Sequence, residues 1–242
     1  MALAVAAALA LAGPALAACP SVPRGQPLPR EATADPVPWP PWRVGVDALT
    51  ERLRRSDVSR ARLLFLGDSI TEGWHPQIFN QFYGTRAPLN LGIGGDATQG
   101  LLWRLENGHW PAGLRPELIV LMIGTNNIGN GSRAEDVAAG VSEIIAKLQR
   151  LSPTSRILLL GVLPRGATAN DPARPLVTRV NQLIASCADG RRVVFSDPGR
   201  MMVDGDGNLA DYVSFDMLHL TMVGYAILAA GIEPTLRQGL QR

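Results

Sequence analysis

Five short apolar runs, separated from one another by stretches of helical periodicity, constrain this chain more than any other feature. They fall at residues 63–66, 88–91, 118–123, 157–162 and 193–195. A continuous apolar run of this length, ended by glycine or polar residues, reads as a strand buried on both faces. Between and after the runs, apolar residues recur at helical spacing over 74–82, 97–107, 134–151, 175–188 and 222–236. A further helix, with Val46, Leu49 and Leu53 on one face, leads into the first strand. Strands alternating with helices imply right-handed crossovers and a parallel sheet covered on both sides. The expected architecture is a flavodoxin-like three-layer α/β/α sandwich with five parallel strands and no internal repeat.

In such a sheet the loops after the strands converge on one edge, where α/β proteins place their chemistry. Those loops read Gly67-Asp68-Ser69, Gly92-Ile93-Gly94-Gly95-Asp96, Gly124-Thr125-Asn126-Asn127 and Leu163-Pro164-Arg165-Gly166. The second formally fits a dinucleotide fingerprint through Gly92, Gly94 and Ala97. It lies on the second strand-helix unit, however, and no acidic residue follows at the usual distance. The glycines have another use, because backbone N–H groups without a neighbouring Cβ can approach an oxyanion closely. Asn126 offers a side-chain NH₂ and Ser69 its own N–H, so three loops supply candidate oxyanion donors.

A serine hydroxyl needs a base, and histidine is the usual one. Of three histidines, His75 and His109 read as surface or packing residues, whereas His219 follows Asp216 by three positions just before the last helix. Over a helical turn that spacing places both side chains on one face, so that Asp216 can orient His219 and His219 can face Ser69. Asp68 reads as a turn residue holding the loop.

These four blocks, in this order over residues 61–236, resemble the SGNH (GDSL-type) hydrolase superfamily, and most of all the catalytic α subunits of platelet-activating factor acetylhydrolase Ib. The similar stretches include Asn90 to Asp96, Leu102 to Gly108, Gly124 to Asn127, Leu163 to Gly166 and Leu218-His219-Leu220. The resemblance implies a serine esterase that needs no cofactor or metal and forms an acyl-enzyme. Ser69 would be nucleophile, His219 base and Asp216 its orienter. Ser69 N–H, Gly95 N–H and the Asn126 side chain would form the oxyanion hole, and Ile70, Thr125 and Leu218 an acetyl-sized acyl pocket. Asp96, Arg104 and Glu106 also match, and are expected to make structural hydrogen bonds. The implied substrate is a small acyl ester, an acetylated lipid or sugar, and the implied assembly a homodimer. An exported carbohydrate acetylesterase and a non-catalytic scaffold that keeps the fold are the alternatives.

With 46% hydrophobic and 18% charged residues, 242 residues make one well-buried domain, and a net charge of +2 without a basic cluster excludes nucleic acid as an expected partner. Residues 1–18 carry no charge, are mostly Ala and Leu, and resemble a secretory signal peptide without its positive n-region. Their end fits both ordinary cleavage after Ala15-Leu16-Ala17 and a lipobox, Leu16-Ala17-Ala18-Cys19, in which Cys19 would carry a lipid anchor. Export, to the periplasm or to a membrane surface, is the expectation. Residues 19–41, holding the eight prolines clustered from Pro20 to Pro41, read as a semi-rigid tether, and 42–242 as the hydrolase domain. Two cysteines exclude a disulfide network while leaving room for one bridge. Cys187 reads as a small buried apolar residue on a helix.

Overall fold

The computed structural model describes residues 19–23 and 25–240. The expected signal peptide, residues 1–18, lies outside them. Five strands form one all-parallel sheet: β1 Leu63–Gly67, β2 Pro88–Asn90, β3 Leu118–Met122, β4 Arg156–Leu160 and β5 Val193–Ser196. Their order across the sheet is β2-β1-β3-β4-β5. This is the flavodoxin-like α/β order expected from the alternation of runs.

Alternation along each strand sends successive side chains to opposite faces. Leu64, Leu66, Ile119, Leu121, Ile157 and Leu159 join one core with the helices α1 (Pro40–Arg54), α4 (Thr98–Glu106), α6 (Ala134–Leu151) and α7 (Ala173–Ala185). Leu63, Phe65, Leu118, Val120, Leu158 and Leu160 join the other with α3 (Pro76–Tyr83) and α8 (Met222–Leu240). Both faces are therefore covered, which is why the runs are continuously apolar rather than alternating. On the second face, Phe65, Trp74, Phe79 and Tyr83 pack as a cluster with ring centroids 5.0–6.0 Å apart.

Two short helices were not legible in the sequence: α2 (Ser69–Glu72) directly after β1, and α5 (Thr125–Gly129) directly after β3. One turn of helix carries too little periodicity to be read. Both start at the edge loops, so Ser69 opens a helix rather than sitting in a free turn.

Residues 19–39 differ from the expected tether. The described ones, 19–23 and 25–39, run along the domain as a strap, with a 3-10 turn at Arg30–Ala32 that buries Ala32. Glu31 accepts from Ser132 Oγ at 2.6 Å, and the Asp35 N–H donates to the Gln99 carbonyl. The strap's far end is covalently fixed, because Cys19 forms a disulfide with Cys187. Cys187 is therefore buried as half of a bridge rather than as a free thiol. The Cys19 sulfur, being committed to that bridge, is not available for the thioether of a lipid anchor. No spacing in the sequence relates two cysteines 168 residues apart, which is why the pairing was not legible. Among the described residues no helix is long and apolar enough to cross a membrane.

Candidate active site

The strand order reverses at β1, which lies between β2 and β3. At that point the loops leaving β1, β2 and β3 diverge and open a crevice at the carboxyl edge. Ser69 and Asn126 lie in the first turns of α2 and α5, and Gly95 on the loop after β2.

β1 ends at Gly67, where a Cβ would run into Thr71 Oγ1 and the Met122 carbonyl. Glycine therefore lets the chain leave the sheet this sharply. Asp68 is the N-cap of α2: its Oδ1 accepts from the Ile70 N–H at 3.0 Å. The carboxyl is buried, and burial pushes it up to about 7 against the pull of that hydrogen bond. The expected turn residue is thus a helix cap, and it fixes the first helical position, Ser69.

Ser69 Oγ lies 2.9 Å from His219 Nε2, and His219 Nδ1 lies 2.6 Å from Asp216 Oδ2. The pairing was expected over a helical turn, but 211–220 form turns and bridges instead. Asp216 Oδ1 accepts from the backbone N–H groups of Leu218 and His219, at 3.0 and 2.6 Å. Met217 between them takes a left-handed φ of 62°. A carboxylate folded back on its own following residues gives the same i, i+3 proximity without a helix. The turn is closed by Ser214 Oγ donating to the His219 carbonyl at 2.9 Å. Phe215 stacks on the imidazole, with a centroid separation of 6.0 Å and planes 19° apart. Partial burial raises the Asp216 carboxyl, but the hydrogen bonds from the His219 ring and backbone outweigh it and hold the group below its ordinary value.

The oxyanion candidates keep donors in hand. Neither the Ser69 nor the Gly95 N–H has a protein acceptor among the described residues. Asn126 Nδ2 donates to the Asp96 carbonyl at 2.8 Å, which leaves its second N–H for a ligand. Gly95 and Asn126 line one cleft of about 470 Å³. The acyl-pocket candidates are not gathered in the same way. Leu218 lines a neighbouring cleft with Asp216, Met217 and Arg165. Ile70 and Thr125 are buried, next in chain to Ser69 and Asn126.

Beneath the site lies a buried polar hub. Asp96 and Arg104 are fully buried and form an ion pair at 2.8 Å; Trp42 Nε1 also donates to Asp96 at 2.8 Å. Arg104 reaches the carbonyls of Leu91 and Gly67, at 3.0 and 3.3 Å. One residue thereby ties α4 to the ends of β1 and β2. The structural reading of Asp96 and Arg104 fits these contacts, while Glu106 pairs with Lys147 at the surface. His109 is buried in the same hub, 2.9 Å from Thr50 Oγ1 and 3.3 Å from Arg104. Burial, helped by the Arg104 charge, pushes it down to about 4. His75 caps α3.

Two groups near the site were not legible in the sequence. Glu72 on α2 accepts from the Gly94 N–H at 2.9 Å and holds the glycine loop. Trp39, at the end of the strap, packs its benzo edge on Gly95, whose φ is +73° and whose missing Cβ would collide with the ring. The strap's docking is a tertiary fact with no local signal.

A doubly wound parallel sheet with a serine, a histidine and an aspartate hydrogen-bonded in series at its carboxyl edge places the chain among α/β proteins whose edge can carry acyl-transfer chemistry. More particularly, the chain belongs to the GDSL-like lipase/acylhydrolase family, whose model matches residues 65–227, and members of that family hydrolyse ester bonds. It is 36% identical over 176 residues to the alpha1 subunit of platelet-activating factor acetylhydrolase IB from Bos taurus, covering 72% of this chain and 74% of that one. It is also 36% identical over 181 residues to the human alpha2 subunit, covering 74% and 77%. Among solved structures, one from Streptococcus pneumonia assigned as a platelet activating factor superposes with a TM-score of 0.69 at 27% identity, over 81% of this chain and 92% of that one. An acetylxylan esterase from Geobacillus stearothermophilus superposes with a TM-score of 0.59 at 18% identity, over 75% and 95%, a likeness of fold alone.

Proposed function

We propose that this acylhydrolase is a serine esterase that cleaves short acyl esters, acetyl above all, through an acyl-enzyme. The observation that carries the reading is the unbroken hydrogen-bonded chain from Ser69 Oγ through His219 to Asp216, at 2.9 and 2.6 Å. Ser69 Oγ attacks the ester carbonyl while His219 Nε2 takes the hydroxyl proton. The negative charge on the former carbonyl oxygen is met by the N–H groups of Ser69 and Gly95 and the free N–H of Asn126. His219 then delivers its proton to the leaving alkoxide, and the alcohol departs. Water attacks the acyl-Ser69 ester with His219 again as base, and the acid is released. Asp216 keeps Nδ1 protonated and steadies the imidazolium. The preference for a small acyl group rests on the family resemblance at Ile70, Thr125 and Leu218; Ile70 and Thr125 are buried next in chain to Ser69 and Asn126, and Leu218 lines the neighbouring cleft with Asp216.

Export is part of the same reading: a bridge such as Cys19–Cys187 persists in oxidising compartments and is rare in the cytosol. Alkylation in intact producing cells that finds both thiols free would refute it.

The test of the activity is Ser69→Ala. The variant should fold, lose p-nitrophenyl acetate hydrolysis by at least about 10³-fold, and fail to react with a fluorophosphonate that labels the wild-type serine. Retained hydrolysis would overturn the assignment. A wild-type protein that resists the label would be the non-catalytic scaffold instead.

A further inference from the structure

The strap lies outside residues 65–227, the part of the chain that the family model matches, yet it reaches the site. Its last residue, Trp39, rests one ring edge on Gly95 while 48% of its surface remains open to solvent. Val37, Pro38 and Trp39 form one wall of the 470 Å³ cleft whose other wall includes Gly95 and Asn126. An exposed tryptophan face in this place is held there at some cost in exposed apolar area. It is positioned from two sides: Trp39 is the residue just before α1, whose Trp42 is anchored on Asp96, and the strap before it is bonded to Gln99 and Ser132 and stapled at Cys19.

Apart from Arg30, the polar side chains that line the cleft among the described residues are neutral amides. Gln99 Oε1 already accepts from Asn127 Nδ2 at 2.9 Å, so its NH₂ is the free end. The Asn130 side chain has no protein partner among the described residues and is exposed. Among the described residues Arg30 is the one cation in the lining, and it is paired with Asp35 at 2.7 Å. A flat aromatic face bordered by amide donors and acceptors, with no unpaired charge, suits a ring that has C–H bonds on its faces and hydroxyls around its rim. A phosphate would ask for an unpaired cation, and a quaternary ammonium for several aromatic faces, whereas this cleft has one.

We infer that the strap-built cleft of Trp39, Gln99, Asn130 and Arg30 binds a neutral sugar ring of an acylated carbohydrate, beside the oxyanion donors Gly95 and Asn126. This rests on the esterase reading above and names its substrate class.

The test compares wild type, Trp39→Ala and Trp39→Phe on methyl tri-O-acetyl-β-xylopyranoside, on p-nitrophenyl acetate and on a 2-acetyl ether phosphatidylcholine. The ratio of kcat/KM on the sugar ester to that on the aryl ester should fall at least tenfold in Trp39→Ala, mainly through KM, and recover to within threefold of wild type in Trp39→Phe. A ratio that does not move, a Phe variant as poor as the Ala variant, or a Trp39 dependence confined to the phospholipid would overturn the inference. A second arm needs no turnover. Xylotriose binding to Ser69→Ala, measured by calorimetry, should be weakened at least tenfold by adding Trp39→Ala. Binding without any wild-type hydrolysis would sink the esterase reading and keep the cleft. Hydrolysis of p-nitrophenyl acetate without xylotriose binding would sink the cleft and keep the esterase.

Discussion

Replacing Cys187 by alanine cuts the bridge that staples the strap to the domain, and the size of the loss can be worked from the chain. The two cysteines are 168 residues apart, so the bridge closes most of the folded chain into one loop. Loop-closure entropy for that length puts the destabilisation of the unfolded state near 5 kcal/mol at 25 °C, and measured losses on removing native bridges run from about 2 to 5 kcal/mol. For a domain of 150–250 residues each kcal/mol moves Tm by about 2–4 °C, so Tm should fall by about 4–20 °C. Alanine is chosen because Cys187 is buried, where a serine hydroxyl would add a desolvation cost of its own. Cys19→Ala removes the same link from the other end, and dithiothreitol removes it without a substitution. Urea and thermal unfolding of all three should agree within about 1 kcal/mol. The reasoning fails if Cys187→Ala lies within about 1 kcal/mol of wild type. It fails equally if the unreduced, denatured wild-type protein titrates two free thiols.

Two further outcomes follow from the site and the hub under it. Asn126→Ala deletes one of three oxyanion donors and should lower kcat on p-nitrophenyl acetate about 10²–10³-fold with little change in KM; a loss under about threefold would remove Asn126 from the hole. His109 is neutral in the fold, pushed down to about 4, while an unfolded histidine titrates near 6.5. Its contribution is therefore present above about pH 6.5 and is lost as pH falls toward 4. Asp68, raised to about 7, acts in the opposite direction over much the same window, so the wild-type curve alone hides both. The stability difference between wild type and His109→Gln isolates the histidine. It should shrink by about 2–3 kcal/mol between pH 7.5 and pH 4.5, read by urea unfolding, and a difference independent of pH would refute the buried neutral assignment.

Much of the site was legible because the edge loops of a parallel sheet are written next to the strands that aim them. Gly67, Asp68 and Ser69 follow β1 directly, and Gly124 to Asn126 follow β3. The Asp216–His219 spacing was read correctly and its cause was not: the proximity comes from a carboxylate folded onto the N–H groups of Leu218 and His219, with Met217 at positive φ. Sequence spacing fixes how far apart two side chains are along the chain, but several backbone conformations satisfy i, i+3. His109 looked like a surface or packing residue, and its place against Arg104 and Thr50 depends on how α1 lies across α4, which no local pattern encodes.

What the sequence determined by itself is the part governed by local periodicity: five buried strands, the helices between them, their parallel order and the loops that must meet at one edge. Only the tertiary structure decided where residues 19–39 go. A proline-rich segment of low hydrophobicity reads as a tether because it cannot bury a core of its own. This one is instead held by a bridge spanning 168 residues, by Glu31 on Ser132 and by Trp39 on Gly95. Each of those contacts joins the strap to a surface that exists only once the sheet and its helices have formed, so no stretch of the strap carries the signal for it.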